Sequence, residues 1–141
     1  MCTADWQTGN PALRSIRETV FIREQHVPVE LDWDKFDANC LHVLAVDSAG
    51  NPIGTARLLP DGHIGRMAVL KEWRGRGVGS ALLQYLLEEA RKRQIRSVTV
   101  NAQIYAAGFY AGFGFRMTGD EFIDAGIPHV KMILRLHGAT G

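Results

Sequence analysis

Three alternating glycines and two arginines lie between positions 74 and 80, in the sequence RGRGVGS, and these residue types suit the binding of a phosphate group. Glycine has no side chain to hold a ligand away from the backbone. From Val78 onward the apolar residues recur at helical spacing, so the turn leads into a helix whose first N–H groups lack intrahelical acceptors. Arg74 and Arg76 add charge at the positive end of the helix dipole. This stretch therefore predicts an anion site.

The spacing of the glycines separates three known kinds of phosphate loop. A Walker loop needs a lysine followed by serine or threonine after its last glycine, whereas Ser80 follows Gly79 directly. A dinucleotide fingerprint needs G-x-G-x-x-G directly after a strand. Here the turn reads G-x-G-x-G, and residues 71–74 separate it from the strand expected before it. The Walker interpretation fails, and the dinucleotide interpretation is weak.

The third kind fits, because RGRGVGS resembles the coenzyme A pyrophosphate loop of the GNAT acyltransferases, whose pattern is Q/R-x-x-G-x-G/A. Arg74, Gly77 and Gly79 fill the fixed places of that pattern. FYAGFGF at 109–115 is similar to the F-Y-x-x-x-G-F of the family's second conserved block. Segments 21–34 and 126–132 resemble the ElaA/YjcF-like group. The resemblance implies an α/β (α+β) fold, with a mixed, mainly antiparallel sheet splayed at its centre and flanked by helices.

The same resemblance implies an activity and a cofactor. A family member transfers the acetyl group of acetyl-coenzyme A directly to a primary amine, of a small molecule or of a protein, without a covalent enzyme intermediate. The central strand would pair with the pantetheine arm, and the turn would bind the pyrophosphate. Gln103 stands where the family often has an asparagine. The cofactor-binding residues so implied are Met67, Ala68, Val69, Arg74, Gly75, Arg76, Gly77, Val78, Gly79, Ser80, Gln103 and Ala106.

Tyr110 is the candidate acid, because many GNAT enzymes keep at this place a tyrosine that donates a proton to the departing thiolate. A phenol remains a donor at neutral pH. The alternative is a core aromatic residue between Phe109 and Phe113.

The base is not identified by the sequence, since the glutamate that some family members carry on the central strand is replaced by Arg66 or Met67. Candidates for the base or for substrate binding are Glu30, Asp32, Glu121 and His129. His129 is either a base, a substrate anchor or a structural histidine. Glu30 and Asp32 either attract a cationic amine or lie on an ordinary charged surface. A chain of water molecules that accepts the proton is a further option.

Composition excludes several other classes of function. The 141 residues are 46% hydrophobic, which suits a single domain over 1–141. A net charge of +1 argues against nucleic acid and anionic membranes as partners. Neither two cysteines nor the spacing of five histidines forms a metal site. With no apolar run of bilayer length and no signal peptide, the expected compartment is the cytoplasm.

The expected elements follow from periodicity and turn residues. They are a short or absent first strand before Thr8, a helix from Pro11 to about Glu24, strands at 41–46, 53–59, 64–70 and 97–101, helices from Val78 and at 104–111, and closing strands at 115–118 and 130–136. A loop containing Asp120, Glu121 and Asp124 is expected between the closing strands. The short first strand leaves a sheet edge that a second copy would cover in a homodimer. A coenzyme A-binding regulatory or interaction module without turnover is the alternative function.

Overall fold

The computed structural model describes residues 2–4, 16–17, 40–124 and 126–136. Residues 16 and 17 are helical and lie within the helix expected from Pro11; the rest of that helix is outside the described residues, as are Glu30 and Asp32. The strands are β1 (Cys2–Ala4), β2 (Leu41–Val46), β3 (Pro52–Leu58), β4 (His63–Val69), β5 (Ser97–Gln103), β6 (Arg116–Met117), β7 (Phe122–Asp124) and β8 (Ile127–Arg135). The helices whose bounds lie within the described residues are α1 (Val78–Lys92) and α2 (Ala107–Ala111), each preceded by a short 3-10 helix, Lys71–Trp73 and Ile104–Ala106.

The strands of the described residues form one sheet in the order β1-β2-β3-β4-β5-β8-β6, and β7 pairs with β8. Every pairing is antiparallel except that of β4 with β5. The predicted mixed, mainly antiparallel sheet is therefore confirmed. The described part of the first strand is Cys2–Ala4, three residues within the short segment before Thr8.

Antiparallel neighbours β2 and β3 are joined by a tight turn that the sequence marks with Asp, Gly, Asn and Pro. The Asp47 carboxylate accepts hydrogen bonds from the N–H groups of Ala49 and Asn51, each at 2.9 Å. The bond from Asn51 is the main reason that the pKa of the Asp47 carboxyl lies below its usual value. Gly50 completes the turn at a φ of 84°.

Helix α1 connects β4 to β5 and covers one face of the sheet. Its leucines repeat at helical spacing, and the buried residues are Leu82, Leu83, Leu86, Leu87 and Ala90. They pack against side chains from β2, β3, β5 and β8, including Val43, Leu58, Val100 and Met132. Arg91 and Lys92 lie in the last turn, where their charge complements the helix dipole. The helix predicted from Val78 is thus confirmed with its expected buried face.

The parallel strands β4 and β5 pair at only two positions, His63 with Thr99 and Ile64 with Val100. Thr55 of β3 pairs with Ala68 and Arg57 pairs with Gly65, so residues 66 and 67 of β4 lie opposite the single residue 56. Such a bulge bends its strand and increases the local twist. Beyond Ile64 and Val100, β4 and β5 therefore diverge; we call the opening between them the β4–β5 gap. The splayed centre of the sheet is confirmed.

The loop expected around Asp124 is wrong in part. Residues 122–124 form β7, which pairs with β8 through Phe122–His129, Ile123–Pro128 and Asp124–Ile127. The acidic residues on either side of Phe122 and Ile123 hid this strand, because a strand of three residues is fixed by its partner and not by its own pattern. The last strand also begins at Ile127, three residues before the predicted start.

Candidate active site

The turn at residues 74–80, called here the anion turn, ends in the uncapped N-terminus of helix α1. Gly77 is the N-cap residue at a φ of 84°, and Gly75 has a φ of 76°, conformations that favour glycine. The first bond of the helix runs from Ala81 N–H to Gly77 O, so the N–H groups of residues 78–80 precede the helical bonding pattern. No side-chain cap and no first-turn acidic residue is found here among the described residues.

The space above these glycines is open. A Cβ atom built at Gly75 or at Gly77 has nothing within 4 Å of it among the described residues. At Gly79 the same atom would contact the Phe109 ring at 3.7 Å, an ordinary van der Waals distance. The left-handed backbone, and not crowding, therefore requires glycine at 75 and 77. The turn thus forms an open cradle, in which several backbone N–H donors can approach a single anion.

The two arginines of the anion turn do different things. Arg74 Nε donates a hydrogen bond to the carbonyl oxygen of Val69 at 3.0 Å, which ties the turn to the end of β4. The Arg76 guanidinium lies over the Trp73 ring, 5.2 Å from its centroid, in a cation–π contact. Both side chains thus keep positive charge beside the helix N-terminus, Arg74 by a hydrogen bond and Arg76 by stacking.

The edge of β4 that faces the β4–β5 gap presents backbone groups to it. Leu70 N–H donates to Ile53 O of the preceding β3 segment, so the backbone groups of Ala68 and Leu70 point toward β3. Because these groups alternate in direction along a regular strand, those of Val69, between Ala68 and Leu70, point into the gap. The Val69 carbonyl there is the acceptor of the Arg74 bond. The gap is therefore lined by a strand edge that an extended ligand can pair with.

Tyr110 of α2 reaches across the gap to β4. Its hydroxyl donates to the Met67 sulfur at 3.9 Å, and its ring packs edge-to-face on Phe109 and Phe115. The side chain is 9% exposed. Burial raises the pKa of Tyr110 to about 12, with a smaller contribution in the same direction from Tyr105. The phenol is thus a neutral donor at any physiological pH. The ring of Tyr110 is part of the core, as expected for a core aromatic residue, and its hydroxyl lies at the gap, as expected for a candidate acid.

His129 lies on β8 opposite Gln103, which is the last residue of β5. Its Nδ1 is 2.6 Å from the carbonyl oxygen of Ile127, and its ring stacks on Phe122 with centroids 5.7 Å apart. Because a carbonyl only accepts, Nδ1 carries the proton and Nε2 carries the lone pair. These two contacts fix the orientation of the His129 ring and leave a lone pair on Nε2. The arrangement fits a structural histidine and a base equally well.

The remaining predicted residues differ in their placement. Gln103 and Ala106 are half-buried at the end of β5 and in the following 3-10 helix, near the carboxyl side of the gap. Glu121 is exposed, one residue before β7, whose Phe122 pairs with His129. A meeting of Glu121 and His129 with Glu30 or Asp32 stays a prediction, since the last two lie outside the described residues.

Several polar side chains share the sheet face opposite α1. The sequence did not predict this cluster as a site. His63 Nδ1 lies 3.1 Å from Thr99 Oγ1, across the last part of the β4–β5 pairing. Arg57 and His42 pair across β2 and β3 on this face and are 4% and 2% exposed. The sequence showed these histidines only as unsuited to metal by spacing. Their shared face could have been found from strand parity once the register of β2 to β5 was known.

Metal binding and membrane insertion are two other functions on which the described residues bear. No group of three histidine, cysteine, aspartate or glutamate side chains in that part of the chain could hold a metal ion. Within the same residues, no helix is both long enough and apolar enough to span a membrane.

Comparison with known proteins gives relatives along most of the chain. Residues 12–136 match the acetyltransferase (GNAT) domain family. The N-acetyltransferase YjcF of Bacillus subtilis is 36% identical over 122 residues, which cover 84% of this chain and 86% of the relative. The crystal structure of Escherichia coli ElaA is 30% identical, with a TM-score of 0.80 and 88% of each chain covered. An acyl-CoA N-acyltransferase from Pseudomonas aeruginosa is 28% identical, with the same TM-score and coverage.

Proposed function

Because the chain belongs to the GNAT acetyltransferase family, we propose that it transfers the acetyl group of acetyl-coenzyme A to a primary amine by direct attack. The acceptor is a small molecule or a protein side chain. The observation that carries the proposal is the alignment of three features along one gap: an uncapped helix N-terminus, an open strand edge and the Tyr110 hydroxyl.

The anion turn suits the pyrophosphate of the cofactor. Backbone donors of residues 78–80, the helix dipole and the two arginines all favour negative charge at this point. Because the donors are fixed by the helix, little order is lost when an anion binds. Gly77 permits the close approach, since any side chain there would both strain the backbone and fill the cradle.

The open edge of β4 suits an extended, amide-containing arm. By resemblance to the family, backbone groups of Met67 and Val69 would pair with amides of the pantetheine arm in the manner of an added strand, and those of Val69 point into the β4–β5 gap. Bound in this way, the arm would place the thioester near the closed end of the gap. Gln103, at the end of β5, can donate a side-chain amide hydrogen bond from the opposite wall.

Acetyl-coenzyme A supplies an activated acetyl thioester, and the chain supplies position and protons. Holding the thioester and the amine together removes much of the entropic cost of their encounter. In this proposal Tyr110 donates its phenolic proton to the departing sulfur, which is supported by its contact with Met67 at the gap and by a raised pKa that keeps the phenol protonated throughout the neutral range. Its dry surroundings also strengthen the hydrogen bond to a developing anion.

The experiment for this proposal is an assay of thiol release from acetyl-coenzyme A with a panel of primary amines, among them benzylamine, ethanolamine and spermidine. Release above the rate without protein by at least one amine supports the transferase. Saturable cofactor binding together with no release from any amine would instead support a coenzyme A-binding module without turnover. Identification of the N-acetyl product by mass spectrometry distinguishes transfer from simple hydrolysis.

A further inference from the structure

We infer that the acceptor is an arylalkyl primary amine, bound by His129 and Phe122 on the sheet face opposite α1. The inference rests on the proposed function and adds to it the class of the acceptor and the residues that receive it. It is carried by a row of three side chains that begins at the β4–β5 gap, by the Nε2 atom of a buried histidine in that row and by the exposed apolar side chains around it.

The row consists of Gln103, His129 and Phe122 on three neighbouring strands. Gln103 of β5 pairs with His129 of β8, which pairs on its other side with Phe122 of β7. The adjacent pair, Ala102 with Val130, belongs to the core beneath α1. Because successive side chains of a strand point to opposite faces, the row lies on the face that α1 does not cover.

The row begins at the height of the Tyr110 hydroxyl along the gap. Strands β4 and β5 run parallel and last pair at Ile64 and Val100. Met67, whose sulfur contacts that hydroxyl, is three residues beyond Ile64, and Gln103 is three residues beyond Val100. The bulge in β4 shortens this strand by about one residue, so Met67 faces the end of β5 across the gap. The acid thus comes from the α1 side, and the row approaches the same point from the other face.

His129 presents a hydrogen-bond acceptor in this row. The residue is 8% exposed, and its Nδ1–H donates to the carbonyl oxygen of Ile127, so the lone pair of the neutral ring is on Nε2. Within the described part of the chain, Nε2 has no hydrogen-bond partner and is not fully enclosed by protein atoms. A buried histidine with an accessible lone pair can accept a hydrogen bond from the N–H of an amine.

Apolar side chains surround this acceptor. Phe122 stacks on His129 with ring centroids 5.7 Å apart and is still 36% exposed. Ile104 and Tyr105, which directly follow β5, are 36% and 79% exposed. Tyr105 also contributes to the raised pKa of Tyr110, so its phenol lies within electrostatic range of the candidate acid. Exposed apolar side chains gathered at one end of the sheet favour a binding site for an apolar group.

The charges beside this aromatic pair are mostly negative. Asp120 and Glu121 are exposed immediately before β7, and Asp124 is exposed at the end of that strand, on the same face as the row. Lys131 is a positive neighbour on the same face of β8. Three carboxylates against one ammonium favour a cationic amine over an anionic acceptor.

The spacing of the row sets the shape of the acceptor. Neighbouring strands of a sheet lie about 4.8 Å apart, so Phe122 is about 4.8 Å further from the gap than His129. An amine whose nitrogen donates to Nε2 therefore has the group one or two carbons away beside the Phe122 ring. An aromatic ring there gains an edge-to-face or offset contact. Benzylamine places a ring at this point, whereas ethanolamine would place a hydroxyl there.

The test uses the full chain with benzylamine and ethanolamine, two primary amines of similar basicity. Wild-type kcat/KM should be higher for benzylamine by about 10-fold or more. Phe122→Ala should lower kcat/KM for benzylamine by about 10-fold and that for ethanolamine by about 2-fold or less. Ile123→Ala is the matched control, since this side chain is more exposed, at 69%, and points to the other face of β7. It should leave both values unchanged.

His129→Phe tests the hydrogen bond to the amine separately. The phenyl ring can keep the stack with Phe122 and lacks the Nε2 lone pair. KM should rise by about 10-fold for both amines, with kcat nearly unchanged, because a binding contact is lost. The affinity for acetyl-coenzyme A in calorimetry should stay at the wild-type value. If this variant does not fold, the comparison of Phe122→Ala with Ile123→Ala still decides the inference.

Several outcomes would overturn the inference and leave the transferase in place. They are an equal kcat/KM for the two amines in wild-type protein and an equal loss in Phe122→Ala and Ile123→Ala. A third is a loss of acetyl-coenzyme A affinity in His129→Phe, because that pattern indicates a structural role. If wild-type protein instead binds acetyl-coenzyme A and releases no thiol with any amine, the proposed transfer fails, and the acceptor class fails with it.

Discussion

The anion turn at residues 74–80 and the region where β4 contacts Thr99 and Tyr110 differ in how far apart their residues lie in the sequence. The turn is one continuous segment, and its donors come from a helix that begins within it. In the second region, Thr99 is 36 residues from His63, and Tyr110 is 43 residues from Met67. A contiguous site depends on local backbone geometry, whereas a dispersed site depends on the register of the whole sheet.

The largest effect is expected from Gly77→Glu, which attacks the contiguous site. The substitution imposes a side chain on a residue at φ 84° and places negative charge in the anion cradle. Together these effects should weaken acetyl-coenzyme A binding by about 100-fold or more in calorimetry. Gly77→Ala is the control, since it keeps the backbone cost and lacks the charge, and it should bind more tightly than the glutamate variant. Equal affinity of Gly77→Glu and wild-type protein would exclude the turn as the site.

Tyr110→Phe tests the dispersed site. The phenyl ring keeps the contacts with Phe109 and Phe115 and loses only the hydroxyl near Met67. We expect kcat to fall by about 100-fold, with cofactor affinity retained. A Tyr110→Phe enzyme as fast as wild type would show that the sulfur receives its proton from another group. If instead affinity alone falls, Tyr110 belongs to the cofactor site and the division between the two regions disappears.

The stability of the folded chain at alkaline pH tests the burial of Tyr110, and this test needs no ligand. Its pKa is about 12 in the folded chain against an ordinary 10.0, so above pH 10 the unfolded state releases the phenolic proton first. The contribution of the protonated Tyr110 to the free energy of unfolding is complete below pH 10. It falls by up to about 2–3 kcal/mol as the pH rises through 12. Denaturant unfolding between pH 9 and 12 measures it. The difference in unfolding free energy between wild type and Tyr110→Phe should shift by this amount; a constant difference would indicate a hydrated phenol.

The two arginines should give the smallest effects, and unequal ones. Arg74→Met removes both a charge and the hydrogen bond to Val69 O, and it should reduce acetyl-coenzyme A affinity by about 10-fold. Arg76→Met removes a charge whose side chain is exposed and stacked on Trp73, so its loss should be smaller. Affinity measured at low and high salt checks the reason, because the remaining difference at high salt reflects the hydrogen bond. A larger loss for Arg76 than for Arg74 would contradict this assignment.

These differences also explain what the sequence predicts well. Helix α1 and the anion turn follow from glycines and leucine spacing within about one helix length, which are local signals. The splay of β4 from β5 came only from the family resemblance, since the bulge at residues 66 and 67 is visible only when β4 is aligned with β3. Tyr110 was likewise named from its place in a motif, and its contact with Met67 is a fact of the folded chain.

The features that the sequence did not predict also depend on contacts between strands that are distant in the sequence. β7 was expected to be a loop because three of the five residues from 120 to 124 are acidic, and only pairing with β8 makes it a strand. His63 was considered only as a metal ligand and set aside by spacing, and its contact with Thr99 of another strand is visible only in the folded chain. Residue types that act across a sheet are recognised when the register is known.

Calorimetric titration of the purified protein with acetyl-coenzyme A and, separately, with desulfo-coenzyme A tests the central claim most directly. Both ligands carry the pyrophosphate, and the second lacks the sulfur that Tyr110 would serve. Saturable one-to-one binding of both is the predicted result, with both affinities lost in Gly77→Glu. Absence of binding by either ligand would contradict the assignment of the anion turn and of every step that depends on it.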